Sequence, residues 1–268
     1  MISFNQLGNL GRLGNQMFQY ASLRGIAANR GFDFCIPPEH VFGEVDINVK
    51  NCKTNIYSTF NLSKYNKVNR PILYKRIEEA GYSFDENIFN NCPDDADLYG
   101  YFQSEKYFKH IEEDIRKDFT FLPEVVDACG EFIQNLVKSD NIISLHIRHG
   151  DYLYLQSSHP TIPIEHYSEA LKRFPNIPVI IFSDDISWCL DQTLFDPDRF
   201  FISDGNMAEY DMCLMSMCSH HIIANSSFSW WGAWLSGNRN VIAPKVWFGP
   251  ASSDNDTSDL YCPNWQIL

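Results

Sequence analysis

The stretch that decides the fold is residues 141–152, which read NIISLHIRHGDY. Its first half, Ile142 to Leu145, is an apolar run of the kind that forms a buried β-strand. The run passes abruptly into a polar and charged cluster, His146 to Asp151. Because ligands of an open α/β sheet bind beyond the carboxyl ends of its parallel strands, this position predicts a binding site. Taken alone, the cluster is also compatible with a solvated loop in which Arg148 and Asp151 form an ion pair.

Strands and helices alternate regularly after this stretch. Apolar runs predict further strands, at 179–182, 200–203, 222–224 and 241–243. Predicted helices lie between them and begin near residues 164, 207 and 228. This alternation predicts parallel strands joined by right-handed crossovers, and therefore a Rossmann-like lobe.

The N-terminal segment has the order strand, glycine loop, helix. An apolar run over 1–7 is followed by a glycine-rich loop over 8–14 and by a predicted helix over 15–29. The glycine spacing does not match the G-x-G-x-x-G pattern of dinucleotide-binding folds, so a packing turn and a ligand loop both remain open. Arg12 and Asn15 at the helix start favour the ligand loop. We predict two lobes, residues 1–138 and 139–268.

Two parts of the first lobe have a weaker pattern. Residues 32–91 show little periodicity and are assigned only to strands and loops. The aromatic-rich segment Tyr99 to His110, YGYFQSEKYFKH, suits either a sugar-binding face or a core. We favour the core, because aromatic residues at helical spacing are most often buried.

The composition excludes several classes of protein. A formal net charge of -13 argues against broad binding of nucleic acid or anionic membranes, which needs a basic face. No apolar run reaches the roughly 20 residues of a membrane-spanning helix, and the N-terminus lacks a signal-peptide pattern, so we expect a cytoplasmic protein. The eight cysteines are then expected to be free thiols. On a helix, Cys213 and Cys218 point too far apart to share one zinc ion.

Three polar clusters follow predicted parallel strands: His146 to Asp151, Ser183 to Asp185, and Asn225 to Ser227. Parallel strands share one carboxyl edge, so we expect all three clusters on one rim of the sheet.

Each cluster suits a different part of a nucleoside diphosphate. Ser226 and Ser227 begin a predicted helix, where free N–H groups bind phosphate. The planar guanidinium of Arg148 can bind a diphosphate through two hydrogen bonds. Asp184 or Asp185 can accept two N–H bonds from guanine, although capping of the next helix is an equal alternative.

Four motifs now identify a family resemblance. In chain order they are GRLGNQMFQYA (11–21), GYFQSEKYF (100–108), HIRHGDY (146–152) and ANSSFSWWGAWL (224–235). In order and spacing they resemble the motifs of the alpha-1,2-fucosyltransferase family, and they span nearly the whole chain. The resemblance implies an α/β fold of GT-B type, with two Rossmann-like lobes and a nucleotide-sugar cleft between them. It also implies GDP-fucose as the donor, inversion at the anomeric carbon, and no metal or other cofactor.

The resemblance also implies roles for single residues. The family's essential diphosphate-binding arginine corresponds to Arg148, with His146 beside it. Its pyrophosphate loop corresponds to Ser226, Ser227 and Phe228, which Asn225 precedes, and its guanine-side acidic pair to Asp184 and Asp185. The family most often has a second arginine where this chain has His149. A histidine there would be mostly neutral at pH 7, so Arg148 must carry more of the charge.

The predicted reaction is transfer of fucose from GDP-fucose to the 2-hydroxyl of a galactose residue, in an O-antigen or related oligosaccharide. We expect Arg148 to stabilise the leaving nucleotide. Asp151 is the second predicted catalytic residue, either as general base or by holding Arg148, and a phosphate oxygen could take the proton instead. Arg12, Gly14 and Asn15 are expected to face the cleft from the first lobe, on the acceptor side.

Two rival interpretations remain. A metal-dependent glycosyltransferase could use an Asp-x-Asp motif, at 196–198 or 254–256, although both lie in loop-like stretches. A non-catalytic carbohydrate-binding protein could use Trp230, Trp231, Trp234 and Trp247 as stacking surfaces, although most of these fall on one helix and are expected to pack in its core.

Overall fold

The computed structural model describes residues 1–38, 54–62, 75–205, 207–237 and 240–268. These residues divide into two compact units. The first comprises 1–122 and 255–262, and the second comprises 123–254 and 263–268. Each unit is built on its own parallel sheet.

The first unit contains four described strands in the spatial order β2-β1-β4-β3, and every pair is parallel. Its strands are β1 (Ile2–Ser3), β2 (Phe34–Cys35), β3 (Lys75–Glu78) and β4 (Ala96–Tyr99). Its helices are α1 (Leu13–Arg30), α2 (Ile56–Thr59), α3 (Glu86–Asn91) and α4 (Glu112–Asp118). Short 3-10 turns, Glu105–Tyr107 and Lys109–Ile111, precede α4. The predicted order of strand, glycine loop and helix at the N-terminus is confirmed, and part of the segment 32–91 lies outside the described residues.

The second unit contains six described strands in the order β10-β9-β8-β5-β6-β7, again with every pair parallel. Its strands are β5 (Ile143–Ile147), β6 (Val179–Ser183), β7 (Phe200–Ser203), β8 (His220–Ile222), β9 (Val241–Ala243) and β10 (Gln266–Ile267). Its helices are α5 (Pro123–Phe132), α6 (Ile164–Leu171), α7 (Ile186–Leu190), α8 (Ala208–Ser216) and α9 (Ser227–Ser236). A π-helical turn, Ile133–Val137, follows α5, and 3-10 turns, Gly150–Tyr154 and Pro250–Ser252, lie in loops.

The strand β5 lies in the middle of the second sheet, and all of its residues are buried. This is typical of a parallel strand covered on both faces. The predicted Rossmann-like lobe after residue 141 is therefore confirmed, with β5 leading into the polar cluster that begins at His146.

The unit boundary differs from the predicted division at residue 138. Helix α5 belongs to the second unit, where the Cys129 thiol lies 3.5 Å from the Tyr210 carbonyl oxygen of α8. Residues 255–262 return to the first unit, where Asp259 accepts the Phe84 main-chain N–H at 2.9 Å. Neither packing is visible in the local sequence pattern, because both join distant segments.

Two strands of the second sheet also differ from expectation. The strand predicted at 222–224 begins earlier, at His220, and is paired with β5 through His221 and Ser144. His221 is fully buried, with its Nδ1 2.8 Å from the Ser144 Oγ. This polar pair occupies core positions that the hydrophobic pattern assigns to apolar residues. The strand β10 was missed, since its two residues are exposed and carry no apolar pattern.

The aromatic segment 99–110 belongs mainly to the core, as predicted, because Phe102, Tyr107 and Phe108 are fully buried. The described cysteines are free thiols, as expected, and Cys52 lies outside the described residues. Within the described ranges, no helix combines the length and apolar character needed to cross a bilayer.

Candidate active site

Neighbouring strands bring the three polar clusters to one edge of the second sheet. Strand β5 lies between β8 and β6, and all three run in the same direction. Ile147 pairs with Ser183, so β5 and β6 end at the same level. The clusters after these strands therefore share a rim, as expected from topology. Hydrogen bonds join the first two clusters directly, and Tyr152 connects the first to the third.

The guanidinium of Arg148 is fixed by two carboxylates. Its Nη1 donates to Asp184 Oδ2, and its Nη2 donates to Asp151 Oδ1. Its Cζ also lies 5.1 Å from the centre of the Tyr152 ring, within cation–π range. Because the Arg148 side chain is only 15% exposed, these contacts hold it in one orientation at the edge of the sheet.

Asp184 uses both carboxylate oxygens within the unit. Besides the Arg148 bond on Oδ2, its Oδ1 accepts the His149 main-chain N–H at 2.9 Å. The neighbouring Gly150 has φ +24°, and a Cβ on it would overlap the Asp184 carboxylate. Only glycine therefore lets the chain pass so close to Asp184. The predicted contact of Asp184 with guanine stays a prediction, and the described contacts assign this carboxylate to Arg148.

Asp185 caps the next helix. Its Oδ1 accepts the Trp188 N–H at 3.1 Å, so the capping alternative describes its contact in the structure. Its Oδ2 lies 3.4 Å from His149 Nδ1, and the His149 ring packs against Trp188 with ring centres 4.2 Å apart. His149 is 5% exposed, so the position of the family's second arginine holds a buried ring beside a carboxylate.

The N-terminus of α9 forms the third part of the site. Ser226 is the N-cap, and its Oγ accepts the Phe228 N–H at 3.3 Å. The first turn of this 10-residue helix contains no acidic side chain. The main-chain N–H groups of this first turn and the helix dipole therefore present partial positive charge here. Ser227 begins the helix itself.

Tyr152 and Asn225 connect this helix start to the Arg148 loop. The Tyr152 hydroxyl donates to the Asn225 carbonyl oxygen at 3.2 Å. The Asn225 side-chain Nδ2 donates to the carbonyl oxygens of Pro160 and Trp247, both at 3.0 Å. Tyr152 closes the HIRHGDY motif, but nothing in the sequence pattern indicated this contact.

His146 is a buried, neutral group of the site. Burial, with a smaller effect of the nearby Arg148 charge, lowers its pKa to about 3. Its ring lies 5.8 Å from that of Phe228, and its Nδ1 has no hydrogen-bond partner among the described residues. At neutral pH it therefore contributes no positive charge to the site.

The predicted residues of the first unit lie at the start of α1. Arg12 is its exposed N-cap residue, and Gly14 is buried in its first turn. Asn15 Oδ1 accepts a hydrogen bond from Gln103 Nε2 at 2.8 Å. This bond joins the glycine-loop motif to the aromatic motif at 100–108 within the unit.

Glu79 is a further notable residue of the first unit, in the segment of weak periodicity. Its Oε2 accepts the N–H groups of Phe102 at 2.6 Å and of Tyr101 at 3.1 Å. Burial raises the pKa of Glu79 to about 7, against the lowering effect of these bonds. The sequence pattern did not indicate these hydrogen bonds, because Glu79 is a single acidic residue that follows a strand.

The residues of the two rival interpretations make their contacts within their own loops or in the core. Within the described ranges, no three histidine, cysteine or acidic side chains come together as metal ligands. Asp196 and Asp256 instead bond main-chain N–H groups of their own loops, at 3.0 and 2.9 Å. The four tryptophans of the carbohydrate-binding alternative are at most 5% exposed, so they pack in the core as expected.

Solved structures share the fold. The fucosyltransferase NodZ from Bradyrhizobium matches with a TM-score of 0.53 and 15% sequence identity, over 87% of this chain and 92% of that chain. POFUT1 in complex with GDP matches with a TM-score of 0.56 and 12% identity, over 88% of this chain and 94% of that chain. The predicted α/β fold of GT-B type is confirmed.

Sequence relatives match along most of the chain. It is 32% identical over 266 residues to the alpha-1,2-colitosyltransferase of Escherichia coli, covering 89% of this chain and 90% of that protein. It is 24% identical over 254 residues to galactoside alpha-(1,2)-fucosyltransferase 2 of Sus scrofa, covering 87% of this chain and 69% of that protein. The profile of glycosyl transferase family 11 matches residues 2–268. These matches confirm the resemblance of the four motifs: the chain belongs to glycosyl transferase family 11.

Proposed function

We propose that this protein is an inverting galactoside alpha-1,2-fucosyltransferase, which moves fucose from GDP-fucose to the 2-hydroxyl of a galactose residue in a glycan. The observation that carries the proposal is Arg148, fixed by Asp151 and Asp184 on the sheet edge that the start of α9 also occupies. A cation and a helix N-terminus together suit a leaving diphosphate. The similarity to the Sus scrofa fucosyltransferase and to NodZ soaked with GDP-fucose supports this donor.

The proposed reaction is a single displacement. The acceptor oxygen forms a bond to the anomeric carbon as the bond to the β-phosphate oxygen breaks, so the configuration inverts. Negative charge grows on the leaving diphosphate, where Arg148 and the α9 N–H groups stabilise it. Because Asp151 and Asp184 already orient the guanidinium, little reorganisation is needed when the charge develops.

In this scheme the main role of Asp151 is to orient the Arg148 guanidinium. Its Oδ1 accepts the Arg148 Nη2 hydrogen bond, and its side chain is 42% exposed. This hydrogen bond commits the carboxylate to holding the guanidinium. We therefore assign the hydroxyl proton to an oxygen of the leaving diphosphate, with Asp151 as the alternative base.

The other predicted residues complete the proposal. In the second unit, His146, Asp184, Asp185, Asn225, Ser226, Ser227 and Phe228 surround the GDP-fucose site. In the first unit, we assign Arg12, Gly14 and Asn15 to the acceptor side, with a galactose-terminated oligosaccharide such as an O-antigen unit as acceptor. The described free thiols favour a reducing, cytoplasmic compartment.

A second donor is favoured by one comparison. The Escherichia coli relative at 32% identity carries the name alpha-1,2-colitosyltransferase. GDP-colitose is therefore the competing donor on the same site, with the same linkage.

The test is incubation with GDP-fucose or GDP-colitose and a panel of galactosides, with the linkage of each product read by NMR. We expect an alpha-1,2 linkage to galactose from GDP-fucose, with a higher kcat/KM than from GDP-colitose. The reverse preference would assign the colitose reaction instead. Absence of transfer from both donors, together with no GDP binding by calorimetry, would refute the proposed function.

A further inference from the structure

We propose that Tyr152 is a positioning residue for the diphosphate, which fixes the Arg148 guanidinium relative to the N-terminus of α9. The inference rests on the proposed function, since it assumes that these two groups bind one diphosphate. It adds a residue that neither the motif pattern nor the comparisons assign to a role.

The ring of Tyr152 supports Arg148. The Arg148 Cζ lies 5.1 Å from the ring centre. The His159 ring is stacked on Tyr152 with centres 5.1 Å apart and planes 20° apart, and Phe248 packs on His159 at 5.9 Å. Burial lowers the pKa of His159, so this support carries no positive charge at neutral pH that would repel the guanidinium. The Asp151 and Asp184 bonds then fix the direction in which its N–H groups point.

The hydroxyl of Tyr152 reaches the other phosphate-binding group. It donates to the carbonyl oxygen of Asn225, the residue directly before the N-cap Ser226. Asn225 is 1% exposed, and its side chain bonds the loops at Pro160 and Trp247. The Tyr152 bond and the two side-chain bonds therefore hold Asn225 in place. Because Asn225 directly precedes the N-cap, the first N–H groups of α9 are held in place as well.

A fixed spacing matters for a ligand that carries two phosphates. A diphosphate can contact Arg148 and the helix N-terminus at once, and a rigid pair of groups binds it without an ordering cost. A monophosphate contacts fewer of these groups and gains less from their spacing. Loss of the Tyr152 connection should therefore weaken GDP more than GMP.

The test is calorimetry of the full chain with GDP and with GMP. Tyr152→Phe removes only the hydroxyl and should weaken GDP binding about 2- to 10-fold, the effect of one hydrogen bond. Tyr152→Leu also removes the ring and should weaken it about 10- to 100-fold. Tyr154 lies on the same 3-10 turn and is 89% exposed, so Tyr154→Phe and Tyr154→Leu are matched controls that should bind GDP as the wild type does.

The ratio of the GDP and GMP affinities separates positioning from a general structural effect. A fall in GDP affinity without an equal fall in GMP affinity, together with a lower kcat for Tyr152→Phe at an unchanged acceptor KM, supports the inference. Equal losses for both nucleotides, no loss, or the same loss in the Tyr154 controls would overturn it. If the wild type itself binds no GDP, the proposed function fails first, and the inference fails with it. Melting temperatures of all four variants show whether each is folded.

Discussion

Asp184 holds Arg148 by its side chain while it receives the main-chain N–H of the next residue, His149. One carboxylate thus fixes both the guanidinium and the backbone that carries it. Asp184 was predicted to bind guanine at this edge of the sheet, and in the structure it orients Arg148, the proposed diphosphate-binding residue.

Asp184→Asn tests this relationship. The amide oxygen can still accept the His149 N–H. The amide NH2 then faces the Arg148 guanidinium, and because both groups are donors, no hydrogen bond forms between them. We expect turnover to fall about 10- to 100-fold, since an oriented charge is lost at the leaving group. The preference for GDP over ADP should stay unchanged, as measured by competitive binding. A collapse of that preference would instead assign guanine recognition to Asp184. Asp198→Asn, in an exposed loop, is the matched control.

Gly150→Ala tests the close approach beside Asp184. The added Cβ would overlap the Asp184 carboxylate, and the backbone at φ +24° disfavours any side chain. The carboxylate must move away from Arg148, so we expect weaker GDP binding and a stability loss of about 1–3 kcal/mol. Gly130→Ala is the control, because that glycine lies in α5 with open space around it. Alanine there should raise the melting temperature slightly. Normal GDP affinity in Gly150→Ala would contradict the role of this approach.

The strands of the second unit were predictable where their residues form an apolar run. The runs at 179–182, 200–203 and 241–243 have almost the bounds of β6, β7 and β9. Strand β8 was placed too late because His220 and His221 occupy strand positions with polar side chains. In that strand, His221 is stabilised by its hydrogen bond with Ser144 in place of apolar packing. The sequence therefore shows no apolar run at these positions.

The position of the site could be predicted from the sequence, but the hydrogen bonds within it could not. Strand direction alone puts the clusters after β5, β6 and β8 on one edge. The bond from Arg148 to Asp184 and that from Tyr152 to Asn225 join residues far apart in sequence, with no spacing rule to indicate them. The hydrogen bonds of Glu79 could not be predicted for the same reason, because its partners Tyr101 and Phe102 lie in the loop after the neighbouring strand β4.

Activity in excess chelator tests the predicted independence from metal ions. The proposed charge stabilisation comes from Arg148 and the α9 N-terminus, so we expect unchanged turnover after EDTA treatment, measured as GDP release. Asp196→Asn and Asp254→Asn should also leave turnover unchanged, since both side chains lie in exposed loop segments. Loss of activity in EDTA that Mn²⁺ or Mg²⁺ restores would favour the metal-dependent alternative.

The pH dependence of stability tests the partly buried carboxylate of Glu79. Its pKa is raised from 4.5 to about 7 by burial, so between these values the folded chain binds more protons than the unfolded chain. Stability from this group is therefore complete below pH 4.5 and is lost as the pH rises through 7. The loss amounts to at most about 3 kcal/mol, reduced by residual exposure.

Glu79→Gln removes this titration. The wild type should lose stability relative to Glu79→Gln as the pH rises from 5 to 8, in urea unfolding followed at each pH. Buried histidines such as His146 have lowered pKa values and act in the opposite direction, but they are common to both proteins and cancel in the difference. Glu78→Gln, on the exposed preceding residue of β3, controls for the change in net charge. Parallel curves for the wild type and Glu79→Gln would mean that the carboxylate stays ionised throughout, held by the N–H groups of Tyr101 and Phe102.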